Sequence, residues 1–443
     1  MKKLTLLALV ALAVVVMACA PAPTVAPTTA PAATSAPAPT TAPAATTAPA
    51  ATTASTSGTI KIGLLTDDSG VLAIYGPMLE RGFALGLDYA TGGTNTVAGK
   101  SIQVITKDTA SKTDVGTQAA RDLIEKDNVD MLVGVPSSGV ALAVADLAKQ
   151  YKKIYIAQPA ASPDLTGKNF NPYVFRTSRT SDQDALASGA ALLSMGKTFV
   201  QVAPDYAFGY GSAKGFYDVV KAGGGKFVVN DTPDKSGAIY IPQDAKDFTP
   251  YLQKVLDTKA DVLIVTWAGA GFVPLFTQMQ QLGVFKAMKV YTGMGDNQTL
   301  KAGYSFAVGA SGLIVYHYDL PKNPINDWLV QHHQAKYSTP PDLFTEGGFT
   351  AAQMVVAGLK ATNGDPSADK LMPVLEQLKF DGPKGTYTVR SYDHVLLQTM
   401  YVVKLTNTTD PNFKFFDLVS TLTPEQTAPP CELTGDYASR CPK

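Results

Sequence analysis

Hydroxyl groups at two helix starts are the side chains best placed to do chemistry in this chain. Val133-Gly134-Val135-Pro136-Ser137-Ser138-Gly139 closes an apolar run and opens a helical stretch from Val140 to Lys149. Ile154 to Ala157 leads through Gln158-Pro159-Ala160-Ala161 into Ser162-Pro163, where serine suits an N-cap and proline the first helical position. Each start offers unpaired backbone N–H groups beside a hydroxyl, a combination that receives a carboxylate or another oxygen-rich head group. Simple helix capping would use the same serines without any ligand. A serine nucleophile is disfavoured: Gly134 to Gly139 is not a G-x-S-x-G elbow, and no histidine falls where the third triad member belongs. No enzymatic activity is therefore expected.

Metal and phosphate chemistry find little support. The histidines are four, His317, His332, His333 and His394, and the adjacent His332 and His333 point to different helix faces and read as surface residues. Cys431 and Cys441 lack the nearby His or further Cys of a metal site, so in an exported chain they are expected to pair as a disulfide. Gly223-Gly224-Gly225-Lys226 carries Phe227 where a phosphate loop needs Ser or Thr, and reads as a helix-to-strand turn. No cofactor is expected.

The elements that must position Ser138 and Ser162 alternate in type. Short apolar runs at Thr59 to Leu65, Ile102 to Ile105 and Val129 to Gly134 read as strands, separated by helical stretches at Met78 to Tyr89 and Asp114 to Lys126. The alternation restarts after Arg179, with helices at Gln183 to Met195 and Ser212 to Ala222 and strands at Thr198 to Val202, Lys226 to Val229 and Ala260 to Val265. Two such series predict an α/β fold of two doubly wound, mainly parallel sheets, with ligands received beyond the carboxyl ends of the strands.

The chain ends add an address. Met1-Lys2-Lys3, the apolar stretch Leu4 to Ala18 and the small residue before Cys19 have the layout of a secretory signal, too short for the roughly 20 apolar residues of a membrane span. Residues 1–18 are read as the signal. Residues 19–57 are rich in Ala, Pro and Thr, without a charged or aromatic side chain, and read as a semi-rigid tether. With 37 basic and 37 acidic residues and no strong basic run in the mature part, nucleic acid is not an expected partner.

Val16-Met17-Ala18-Cys19 resembles the bacterial lipobox, which implies a lipid on Cys19 and an extracytoplasmic protein anchored to the membrane. From about Thr59 to Leu405 the chain resembles the periplasmic solute-binding proteins of the branched-chain amino acid type, the class I clam-shell fold. The resemblance rests on Ile62-Gly63-Leu64-Leu65, Ser69-Gly70, Tyr75-Gly76, Gly134 to Ser138, Pro159 to Ser162, Phe175-Arg176-Thr177, Asp205 to Gly209, Thr266 to Gly269 and Gly382 to Gly385 in that order. It implies two lobes, 58–178 with 318–380 and 179–317 with 381–423, and leaves 424–443 as a tail. Three crossovers are implied near Arg176 to Thr180, Val315 to Tyr318 and Asp381 to Gly385.

The same resemblance places an amino acid's carboxylate on Ser138 and Ser162 and its ammonium on the backbone carbonyl of Ala160, between aromatic walls at Tyr75, Phe208 and Phe344. Phe208 stands where leucine-type members have Tyr. At the position of the family's ammonium-binding Glu this chain has Gly295, beside Asp296, in Tyr291-Thr292-Gly293-Met294-Gly295-Asp296. If Asp296 turns inward an amino acid is held; otherwise a carboxylate without an ammonium, an amide or a urea-like solute is expected. Trp267, at a strand end, supplies either a flat apolar wall or interlobe packing. The implied function is capture of a small solute by lobe closure for the permease and ATPase subunits of an ABC importer, by a monomer. A sensory receptor of the same fold is the alternative, and the absence of a fused signalling domain favours transport.

Overall fold

In the computed structural model of the protein, residues 58–443 are described. The expected signal, the lipidation expected at Cys19 and the expected tether lie outside them. The first part of the chain forms β1 (Thr59–Thr66), α1 (Gly76–Thr91), β2 (Thr96–Val97), β3 (Lys100–Asp108), α2 (Thr113–Glu125), β4 (Met131–Gly134), α3 (Ser138–Tyr151), β5 (Ile154–Ala157) and β6 (Val174–Arg176). These strands make one sheet in the order β2-β3-β1-β4-β5-β6, parallel throughout except for the β2–β3 pair. Alternate residues of β1 serve two cores: Ile60, Ile62 and Leu64 pack on one face and Leu65 on the other. A strand covered by helices on both faces has no solvent side, which is why the sequence reads as a continuous apolar run.

The second lobe follows with α4 (Ser181–Met195), β7 (Thr198–Pro204), α5 (Ala207–Ala222), β8 (Lys226–Phe227), β9 (Ala238–Ile241), α6 (Thr249–Thr258), β10 (Val262–Val265), α7 (Phe272–Gln281), α8 (Val284–Ala287), β11 (Lys289–Thr292), α9 (Asn297–Gly303) and β12 (Ser311–Ile314). Its parallel sheet runs β11-β10-β7-β8, with β9 also beside β7. Helix α5 starts five residues before the expected Ser212, so Phe208 sits in its first turn. The chain then returns to the first lobe with α10 (Pro324–Tyr337), α11 (Leu343–Ala361) and α12 (Ala368–Leu375). It finishes in β13 (Lys379–Gly382), β14 (Gly385–Val389), β15 (Leu396–Leu397), β16 (Met400–Leu405) and β17 (Phe416–Leu422).

Two expectations are corrected. The third crossover is not at Asp381 to Gly385: β13, β14 and β15 form a small antiparallel sheet whose Tyr387, Val389 and Leu396 pack into the core with Ile60 and Ile62. Only from β16 onwards do Tyr401, Val403 and Leu405 join the second lobe's core, so the chain crosses at Gln398 and Thr399 and residues 381–397 belong to the first lobe. His333 is not a surface residue. It is buried, and its Nδ1 lies 2.6 Å from the carbonyl of Thr339, because the apolar face of α10 docks on the first lobe.

The tail also packs on the first lobe. Cys431 and Cys441 are joined in a disulfide with Cα atoms 5.7 Å apart. Around it the ring of Tyr437 meets Phe170, and Arg440 donates to Glu376 Oε1 at 2.7 Å and to the carbonyl of Tyr392 at 2.8 Å. Among the described residues no helix is long and apolar enough to cross a membrane.

Candidate functional site

The carboxyl ends of both parallel sheets face one cavity of about 120 Å³ between the lobes. Six of the expected site residues line it: Tyr75 and Ser138 beyond β1 and β4, Phe344 at the start of α11, Phe208 on α5, Trp267 beyond β10, and Asp296 beyond β11. The lobes touch across it. The backbone N–H of Gly269 donates to the Tyr75 hydroxyl at 3.0 Å, and that of Ala270 to the carbonyl of Val71 at 2.9 Å. Tyr75 meets Phe344 edge-to-face with ring centres 4.7 Å apart.

Ser138 occupies the first turn of α3, and neither it nor Ser137 makes a side-chain cap bond. Its Oγ instead accepts the backbone N–H of Ser162 at 3.2 Å, which leaves its own proton to donate. Ser162 precedes a short 3₁₀ turn, Pro163–Thr166, again without a cap bond, and its buried Oγ has no hydrogen-bond partner among the described residues. The simple capping reading thus fails at both serines. Ser162 and Ala160 lie behind the lining.

The reason is Arg176. Its fully buried guanidinium donates to the carbonyls of Ala160 at 2.7 Å and Ser162 at 2.9 Å, stapling their loop to the first crossover. Ser178 Oγ also donates to the carbonyl of Ala160, at 2.7 Å, so both lone pairs of that oxygen are taken. Burial, and then the neighbouring Arg179, lower the Arg176 pKa to about 9.

Sequence reasoning missed three further groups. Arg179 lines the cavity and grips Asp184 through Nε at 3.2 Å and Nη2 at 3.0 Å, leaving Nη1 without an acceptor among the described residues. Thr180 and Gln183 form a capping box at the start of α4, so the charges at 179 and 184 bracket a legible helix start, but nothing in their spacing points to the cavity. Tyr206 adds another aromatic wall. Asp342 caps α11 and accepts the N–H of Asn297, at the start of α9, at 3.0 Å, another contact between the lobes. Asp296 caps α9: its Oδ1 accepts Thr299 N–H at 3.0 Å and its Oδ2 accepts the Thr299 hydroxyl at 2.6 Å. It is buried, lines the cavity, and forms no ion pair among the described residues. The indole N–H of Trp267 is likewise buried without a partner among the described residues.

Residues 59–410 match the family model described as periplasmic binding protein. The chain belongs to the periplasmic binding protein family. It is a solute-binding protein of the ABC-transporter type and an extracytoplasmic one, sharing the type I fold. A Leu/Ile/Val-binding protein homologue of Brucella abortus (strain 2308) is 23% identical over 376 residues, covering 80% of this chain and 89% of the relative. Among solved structures, one described as an ABC-type branched-chain amino acid transporter of Rhodopseudomonas palustris CGA009 is 35% identical, with a TM-score of 0.69, over 85% of this chain and all of that one. A solute-binding protein of R. palustris BisB5 in complex with 3,4-dihydroxybenzoic acid is 26% identical with a TM-score of 0.72, over 82% of this chain and 97% of that one.

For this binding protein, any closure of the lobes on solute is expected to carry a pH signature. Burial and the adjacent charge of Asp296 push the Asp342 carboxyl up from the ordinary 3.8 to about 7, only partly offset by the N–H groups of Leu343 and Asn297. With the lobes apart Asp342 regains water and a lower value, so closure takes up a proton. A raised closed-state value helps fully at low pH and is lost as pH climbs through 7. Solute affinity is expected to fall as pH rises from about 4 to 7, by at most about tenfold per unit, and to level off above that. Asp342→Asn should flatten the profile in titration calorimetry.

Proposed function

We propose that this protein captures a small α-amino acid with an apolar side chain and presents it, in the closed form, to the permease and ATPase subunits of an importer. One observation carries the reading: Asp296, buried and without a cationic partner among the described residues, lines a cavity whose opposite lobe presents the free proton of Ser138, with Arg179 at the crossover. A zwitterion satisfies both sides, its carboxylate on Ser138 and Arg179 and its ammonium on Asp296. Tyr75, Phe208, Trp267 and Phe344 enclose the side chain. No bond is made or broken. The work is a shift of the open–closed population, limited by the differential affinity for the closed form. A monomer tethered through a lipid on Cys19 keeps this capture at high effective concentration near the membrane.

A second reading, an aromatic carboxylate without an ammonium, is favoured by those same aromatic walls and by the bonds that Asp296 already makes to Thr299. A solute-binding protein of R. palustris in complex with benzoate, 26% identical with a TM-score of 0.72 and spanning 83% of this chain and 97% of that one, points the same way. Calorimetry with leucine, valine and phenylalanine against benzoate separates the two. Asp296→Asn should weaken amino-acid binding about tenfold or more, the worth of a charged hydrogen bond. Ser138→Ala should weaken any carboxylate ligand. Leucine affinity unchanged in Asp296→Asn, or benzoate binding in place of leucine, would sink the amino-acid reading.

A further inference from the structure

We infer that Met294 is the specificity-determining residue for solute length, the partition between the solute cavity and a second, larger cavity behind it. The inference rests on the interlobe cavity being the solute site. The second cavity, a groove of about 770 Å³ open to solvent, lies past the outer edge of β11, where Met288, Tyr304 and Phe306 supply apolar surface beside the exposed Lys197, Lys259, Lys286 and Lys289. Thr292 and Met294 line both cavities. Of these two, Met294 has the side chain that can fill or vacate a passage, because an unbranched thioether with three rotatable bonds adapts to irregular gaps.

The setting holds the backbone and leaves the side chain to be the partition. Met294 N–H donates to the carbonyl of Leu313 at 2.8 Å, and the carbonyl of the preceding Gly293 accepts the Tyr304 hydroxyl at 2.9 Å. The Met294 methyl packs on Gly312 of β12, where a Cβ would lie 2.9 Å from Met294 Cε. The same Cβ would lie 2.8 Å from the carbonyl oxygen of Thr292, so glycine at 312 lets β12 approach both that carbonyl and the thioether. In this position Met294 closes one end of the interlobe cavity, so a side chain that grows in this direction meets the thioether, while the groove behind it has room for an unbranched tail.

The test is a length series: norvaline, norleucine, 2-aminooctanoate and 2-aminodecanoate, each matched by the plain carboxylate of the same chain, titrated into the wild type, Met294→Ala and Met294→Leu. In the wild type and Met294→Leu, affinity should fall once the chain outgrows the cavity. In Met294→Ala it should keep rising, by about fourfold per added methylene in the limit of full burial. The same length limit in Met294→Ala as in the wild type would overturn the proposal. Which series binds decides the solute reading separately, since loss of the amino series alone leaves the length dependence of the carboxylates to judge Met294. If nothing in either series binds any of the three proteins, the crystal structure of Met294→Ala decides: one continuous cavity supports the partition, and a wall rebuilt by other side chains overturns it.

Discussion

Replacing Gly269 with alanine is expected to abolish tight solute binding while leaving both lobes folded. Gly269 has φ of +77°, and a Cβ built on it would lie 2.1 Å from the carbonyl oxygen of Val71 in the other lobe. The left-handed conformation costs a side-chain-bearing residue about 1 kcal/mol. The clash is the larger effect, because a Cβ is fixed by its backbone and no rotamer removes it. Only retreat of one lobe from the other relieves it, which also breaks the bonds from Gly269 to Tyr75 and from Ala270 to Val71. If the closed form drops to about 1% of the population, apparent affinity falls about 100-fold. Calorimetry measures the loss, small-angle scattering should report a persistently larger radius of gyration, and the melting temperature without solute should stay near the wild-type value. Wild-type affinity in Gly269→Ala would mean that solute is held without this interlobe contact.

What the sequence disclosed, and what it hid, divides along a physical line. Strands buried on both faces, such as β4 and β10, announce themselves as apolar runs, and the helix starts after them announce themselves through Ser138 and Ser162. Once two parallel sheets are predicted, residues just past strand ends must converge, and Tyr75, Ser138, Trp267 and Asp296 do line one cavity. Ala160 and Ser162 carry the same local signal and yet sit behind the lining, because the partners of a buried arginine are chosen by tertiary packing, and Arg176 takes both carbonyls. The third crossover was hidden for a related reason. Gly382-Pro383-Lys384-Gly385 looks like a hinge, whereas burial of Tyr387 and Leu396 holds the whole hairpin on the first lobe. His333 was hidden because the period of a helix separates faces without telling which face docks.

The residue at that false hinge carries the last and largest stability effect: Lys384→Met is expected to destabilise the protein by about 3 to 5 kcal/mol. The Lys384 side chain is fully buried, and its ammonium donates to the carbonyl of Val315 at 3.2 Å and to Gln398 Oε1 at 2.5 Å, with Glu346 Oε2 at 3.8 Å. Gln398 Nε2 in turn donates to the carbonyl of Thr177 at 3.2 Å. Thr177, Val315 and Gln398 stand one on each of the three chain passages between the lobes, so a single cation ties all three. Burial depresses the ammonium's pKa and Glu346 partly restores it, the pattern of a charge kept for its partners. Methionine preserves much of the volume but leaves the Glu346 carboxylate buried with, among the described residues, only the hydroxyls of Thr350 and Tyr387. Removing that charge too should recover much of the loss, so Lys384→Met/Glu346→Gln is expected to melt well above Lys384→Met, because an uncompensated buried ion costs more than an absent pair. Differential scanning calorimetry on the three proteins checks both steps. A single variant melting within a degree of the wild type would mean that the crossovers hold together without the cation.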